Sequence, residues 1–165
     1  MSHLFPNLPD PAGLGDVFRA YPDTVPPLLD YHDRLLRGDS PLSVAERELI
    51  AAYVSALNAC RFCHGAHVLY ARAFGISPEA LDAMVGDLDN APLDDRLKPL
   101  LAYVGKLTRE PASLRRADAE AVFAQGWSER ALYDAVQVCA LFNFMNRIVE
   151  GTGVAAYPLD PDSVT

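Results

Sequence analysis

The chain is poor in sulfur, poor in tryptophan and short of positive charge. It holds three cysteines, three methionines and one tryptophan in 165 residues, and 14 Lys and Arg stand against 22 Asp and Glu, for a formal net charge of −8. An odd, sparse cysteine count argues against a secreted disulfide scaffold, which carries an even and denser set. The acidic balance argues against nucleic acid or anionic membrane as a partner. No apolar run approaches the ~20 residues that span a bilayer. Met1 to Pro11 has no positive segment leading into an apolar one, so no secretory signal is expected there. These absences together predict a protein of the reducing cytoplasm, where paired cysteines serve catalysis or metal binding more often than stapling.

What is present is ordinary globular material. Hydrophobic residues make up 50% and charged residues 22%, outside the range of disordered chains. One domain over 1–165 is expected, with residues 1–20 as an N-terminal arm, extended over Met1 to Pro11, and 155–165 as a tail.

Between arm and tail the periodicity is helical, and no strand pattern emerges. Leu28, Leu29, His32, Leu35 and Leu36 form one stripe of a helix over Val25 to Arg37, with Pro26 and Pro27 in its first turn and Gly38 at its end. Ser43 and Glu46 form a capping box ahead of Leu49, Ile50, Tyr53, Val54 and Leu57. A helix from Cys60 to Phe74 ends at Gly75, and Ser77-Pro78 opens a short one. Asp94 to Arg109 reads as a helix that Pro99 kinks. Ala117 to Gln125 closes at Gly126, and Ser128 caps a long last helix over Glu129 to Glu150. The predicted fold class is all-α.

The chemistry is concentrated in Cys60-Arg61-Phe62-Cys63-His64-Gly65-Ala66-His67. At a helix N-terminus Cys60 and Cys63 share a face at i, i+3, and Cys63 and His67 share it at i, i+4. Unpaired N–H groups and the positive end of the helix dipole stabilise a thiolate there, and such sites lower a free thiol from ~8.5 to about 3.5–7.5. Glu48 precedes Cys60 by twelve residues. On an unbroken helix of roughly 3.6 residues per turn it would face about 120° away. It meets the cysteines only if the chain bends near Asn58, and that bend is predicted.

Glu48…Cys60-x-x-Cys63-x-x-x-His67, the run Ser43-Val44-Ala45-Glu46-Arg47-Glu48-Leu49-Ile50 leading into it, and the later Phe142-Asn143-Phe144-Met145-Asn146-Arg147-Ile148 resemble the alkylhydroperoxidase D and carboxymuconolactone decarboxylase superfamily, and most closely its peroxidase-related branch. The resemblance runs over about Val25 to Tyr157. It implies a compact all-α fold of the alkylhydroperoxidase D type that forms homo-oligomers, as dimers, trimers or hexamers. It implies that Cys63 attacks a hydroperoxide and that Cys60 resolves the sulfenic acid as a Cys60–Cys63 disulfide. A dithiol reductant, lipoyl-bearing or thioredoxin-like, would reopen that disulfide through Cys60, taken as the more accessible sulfur. His67 and Glu48 would relay protons, and no cofactor is implied. Some members carry a second histidine between the cysteines; Phe62 stands there in this chain, with His64 after Cys63.

Other readings stay open at this level. The cysteines and histidines offer three or four zinc ligands, although four on one helix cannot wrap a tetrahedral ion. The pair can also be inert, the pocket can run a non-redox, decarboxylase-type reaction, or the disulfide can act as a sensor in a non-catalytic oligomer. Cys139, in an apolar stretch, reads as core, as does Trp127. His32 and His64 read as packing residues, and Asn143, Asn146 and Arg147 as structural or interface residues.

Overall fold

The computed structural model describes residues 4–155. Among these are eight α-helices: α1 (Leu14–Ala20), α2 (Val25–Arg37), α3 (Val44–Leu57), α4 (Arg61–Ala73), α5 (Pro78–Gly86), α6 (Leu97–Arg109), α7 (Arg116–Ala124) and α8 (Glu129–Thr152). No strand occurs among the described residues; Ala12 and Val154 form a single parallel bridge. No described helix is long and apolar enough to cross a membrane.

The capping signals act where the sequence places them. Ser43 Oγ accepts from Glu46 N at 3.2 Å and Glu46 Oε2 accepts from Ser43 N at 2.6 Å, closing the predicted box. Ser77 and Ser128 cap α5 and α8 at 3.1 Å each. Gly153, at φ 72°, ends α8 in the left-handed region that a side chain disfavours. The sixth helix begins at Leu97, so Pro99 sits in its first turn, where no N–H is needed, and the expected kink has no cause.

The third helix is the hub. Every residue from Arg47 to Ser55 is buried, and it packs along α4, α8 and α6. Leu49, Ile50, Val54, Leu100, Leu101, Val104 and Phe142 build the centre of the core. A helix buried on all sides must satisfy any polar residue it carries. Arg47 does so by donating Nη1 to the Leu35 carbonyl at 2.9 Å and the Gly38 carbonyl at 2.8 Å, oxygens at the end of α2.

The N-terminal arm is corrected by the structure. Residues 14–20 are helical, and the segment before them is docked: Leu8, Ala12 and Val17 are buried together. Ala155 N donates to Ala12 O at 2.9 Å, which ties this segment to the end of α8. Gly13 N to Asp16 Oδ2, at 2.8 Å, starts α1. The prolines before it concealed these apolar contacts. The predicted tail lies almost wholly outside the described residues.

The bend between α3 and α4 is present. Asn58 terminates α3, Ala59 takes φ 54°, and Cys60 is the N-cap residue of α4. A left-handed conformation costs an L-residue roughly 1–2 kcal/mol. Ala59→Gly is therefore expected to hold or raise stability by up to about 1 kcal/mol, while Ala52→Gly in buried α3 loses at least about 1 kcal/mol; denaturant titration of the two variants reads the contrast.

Candidate active site

The bend turns the chain so that the first turn of α4 carries both cysteines. Cys60 and Cys63 are free, buried thiols, one at the N-cap of α4 and the other in its first turn. The two thiols are pushed apart in acidity. The hydrogen bond from Cys60 holds Cys63 below the ordinary thiol range, and the Asn146 amide adds to this against the opposing effects of burial and the nearby Glu150 charge. Cys60 is driven far upward, first by its contact with Cys63 and then by burial.

The expectation that Cys60 is the more accessible sulfur does not hold. Cys60 is 0% exposed and Cys63 4%. Val149 of α8 is buried with them, and Leu14, Phe62 and Val154 pack over the group. As the capping residue, Cys60 lies beside the junction of the segment before α1 with the end of α8, which the sequence pattern did not show.

Glu48 and His67 form a second pair. Glu48 is fully buried, its Oε2 accepts from His67 Nδ1 at 2.6 Å, and its Oε1 lies 2.6 Å from Arg37 Nη2. Burial alone would raise this carboxyl; the hydrogen bonds and charges of His67 and Arg37 outweigh it and hold it below the usual carboxylate range. The His67 ring stands edge-on to Phe142 at 4.4 Å between centroids, with His32 6.4 Å away. Burial, followed by the neighbouring His67, keeps His32 below its ordinary value.

The structure thus brings the four predicted residues together as two couples on successive turns of α4. Among the described residues no hydrogen bond links the Glu48–His67 couple to the cysteines. His64 Nδ1 faces the Ala52 carbonyl at 3.0 Å, a structural bond. Cys139 is a core residue beside Thr108, at 3.2 Å. Trp127 anchors packing, donating Nε1 to Arg96 O at 2.8 Å. Among the described residues no three His, Cys, Asp or Glu side chains gather as a metal site.

Three residues of the site were not singled out from sequence: Arg37, Glu150 and Asn58 as a side chain. Asn146 was noticed but assigned to structure or interface. It is buried, donates Nδ2 to Ser55 Oγ at 3.0 Å and accepts from Asn58 Nδ2 at 2.9 Å. Its signal was legible: Asn143, Asn146 and Glu150 recur at three- and four-residue spacing on an apolar helix. A cleft of about 240 Å³ is lined by Asn58, Asn146, Arg147 and Glu150.

A buried all-helical site built on a Cys-x-x-Cys helix start, with a carboxylate–imidazole couple one turn on, defines a class of thiol-bearing helical proteins. Residues 22–102 match the carboxymuconolactone decarboxylase family. A peroxidase-related protein of uncharacterised function from Silicibacter sp. TM1040 is 31% identical, with a TM-score of 0.79 over 88% of this chain and 79% of that one. A second, from Ralstonia eutropha JMP134 and described as an alkylhydroperoxidase AhpD core, is 26% identical, with a TM-score of 0.80 over 86% of this chain and 75% of that one. An Agrobacterium tumefaciens protein of unknown function shares the fold at 20% identity, with a TM-score of 0.75 over 87% and 97% of the two chains. No curated protein matches. The chain belongs to the alkylhydroperoxidase D and carboxymuconolactone decarboxylase superfamily.

Two outcomes follow from the electrostatics. A carboxyl held low in the folded state adds stability above its unfolded value, ~4.3 for Glu, and loses it as pH falls through the folded value. The wild type should therefore lose stability on acidification below about pH 4.3 more steeply than Glu48→Gln, itself weaker at neutral pH; denaturation measured across pH compares the slopes. Alkylation should titrate Cys63 below the ~8.5 of a free thiol, and Asn146→Ala should move that midpoint upward, read by mass spectrometry of iodoacetamide adducts against pH.

Proposed function

We propose that this chain is a thiol-dependent peroxidase of the alkyl hydroperoxide reductase type, working as a cytoplasmic homo-oligomer. The observation that carries the reading is the pair of free thiols, Cys60 and Cys63, at the start of α4, with the Glu48–His67 couple one turn further on. The Cys63 thiolate attacks the O–O bond of a hydroperoxide. Two electrons pass from sulfur to oxygen, Cys63 becomes a sulfenic acid, and the departing alkoxide takes a proton to leave as an alcohol. Cys60 sulfur then displaces hydroxide from Cys63, forming the Cys60–Cys63 disulfide and water. A dithiol reductant, a lipoyl protein or one of thioredoxin type, exchanges with that disulfide, returns both cysteines to thiols and leaves as its own disulfide. The Glu48–His67 couple, one turn beyond Cys63, holds an exchangeable proton close to the first step. The descriptions of the relatives as peroxidase-related agree with this chemistry.

The burial of both sulfurs favours a second reading, in which disulfide formation switches the conformation of a non-catalytic sensor. Turnover separates the two. With dihydrolipoamide or thioredoxin as reductant, the wild type is expected to consume hydroperoxide steadily, to lose two thiols per chain on oxidation, and to fall to background in Cys63→Ser. A sensor forms the disulfide once without steady turnover. Peroxide consumption that survives Cys63→Ser removes the nucleophile assignment; a decarboxylase-type reaction would be indifferent to that substitution.

A further inference from the structure

The two oxygens of Glu48 have different partners. Oε2 meets His67 Nδ1 at 2.6 Å. Oε1 is buried; Arg37 Nη2, 2.6 Å away, is its partner, and no other is found among the described residues. Arg37 is the last residue of α2, and its guanidinium is seated on more than the carboxylate. Its Nη1 donates to the Leu36 carbonyl at 3.1 Å, and the Tyr70 and Phe74 rings of α4 lie 5.7 and 5.8 Å from its central carbon. A planar fork held in this way cannot turn from Oε1 without losing several contacts at once.

This arrangement fixes where the protons sit. An ionised carboxylate only accepts hydrogen bonds. With Oε1 held by Arg37, Oε2 must receive a hydrogen from Nδ1, and a neutral His67 ring is left with its lone pair on Nε2. Nε2 has no hydrogen-bond partner among the described residues, and His67 is 8% exposed. Burial raises the Glu48 carboxyl, while His67 and then Arg37 bring it down. The other charged or titratable groups around the couple are His32 of α2, Tyr70 with its ring 6.2 Å from His67, and Arg47, whose Nη1 is spent on the Leu35 and Gly38 carbonyls. From α8 the couple meets the uncharged Phe142. None of these bonds Oε1.

We propose that Arg37 is the positioning residue of the proton relay: its grip on Oε1 keeps Glu48 a carboxylate aimed at Nδ1 and leaves His67 Nε2 as the atom that exchanges protons. This deepens the peroxidase reading and rests on it. The proton that Cys63 gives up on ionising is taken on Nε2 and passed to the departing alkoxide, so the ring ends as it began, with Nδ1–H in place.

Infrared difference spectra against pH read the carboxyl directly, with Glu48→Gln identifying its band. In Arg37→Gln the protonation midpoint of Glu48 is expected to rise by about one pH unit or more, the lower range for an opposite charge beside a carboxylate, and Arg37→Lys should restore most of it. The pair Tyr70→Leu and Phe74→Leu alters only exposed rings, so it keeps the test open if Arg37→Gln does not fold; it should move the midpoint the same way by less. Nitrogen NMR of the wild type should find the neutral His67 ring protonated on Nδ1. With hydroperoxide, the acid limb of the kcat/KM profile should follow the carboxyl midpoint from variant to variant, which lost packing alone would not produce. A midpoint that stays in place, a neutral His67 protonated on Nε2 in the wild type, or an acid limb that ignores the midpoint overturns the proposal. If no variant and no wild type consumes hydroperoxide, the peroxidase reading fails, and the carboxyl midpoints and ring tautomer still decide whether Arg37 sets the couple.

Discussion

Glu48 carries a carboxylate into the middle of the molecule, where an ion without partners would cost several kcal/mol. The fold accommodates it because Arg37 arrives from the end of α2 and His67 from the second turn of α4. That three-way meeting sets the angle between α2, α3 and α4. Arg47, one residue earlier, bonds the final carbonyls of α2 and holds the same junction from the other side. Hydrophobic packing makes α3 the hub, but these two charged residues determine where the neighbouring helices lie against it.

The cysteines depend on a different junction. Asn58 and Ser55, at the end of α3, reach across to Asn146 of α8 close to the cysteine turn. A neutral amide that satisfies two groups at once fixes α8 against the α3–α4 bend without adding a charge of its own. The two couples therefore have separate supports: ionic for Glu48 and His67, amide and hydroxyl for Cys60 and Cys63. Both rest on α4, which gives the site a rigid floor and walls contributed by distant parts of the chain.

Local signals were legible in the sequence and long-range ones were not. Capping at Ser43, Ser77 and Ser128, the stop at Gly38 and the bend near Asn58 are all written within a few neighbouring residues, and the structure shows each of them. The Glu48–His67 pairing could be reached only through family resemblance, since a spacing of nineteen residues across a bend implies no contact by itself. Arg37 and Glu150 escaped notice because a charged residue near a helix end ordinarily faces water, and only the packing of α2 and α8 gives them partners. The docking of residues 4–13 failed for the opposite reason. Prolines suggested an extended segment, while the few apolar side chains that hold it in place carry no period.

The lid over the sulfurs is assembled from Leu14 and Val154, near opposite ends of the described chain, joined where Ala12 meets Val154 and Ala155. Chain ends are where local opening costs least. Fraying of that clasp would open the thiols to solvent and leave the core intact; hydrogen exchange at Ala155 and the labelling rate of Cys63 should then share one opening free energy, well beneath that of global unfolding.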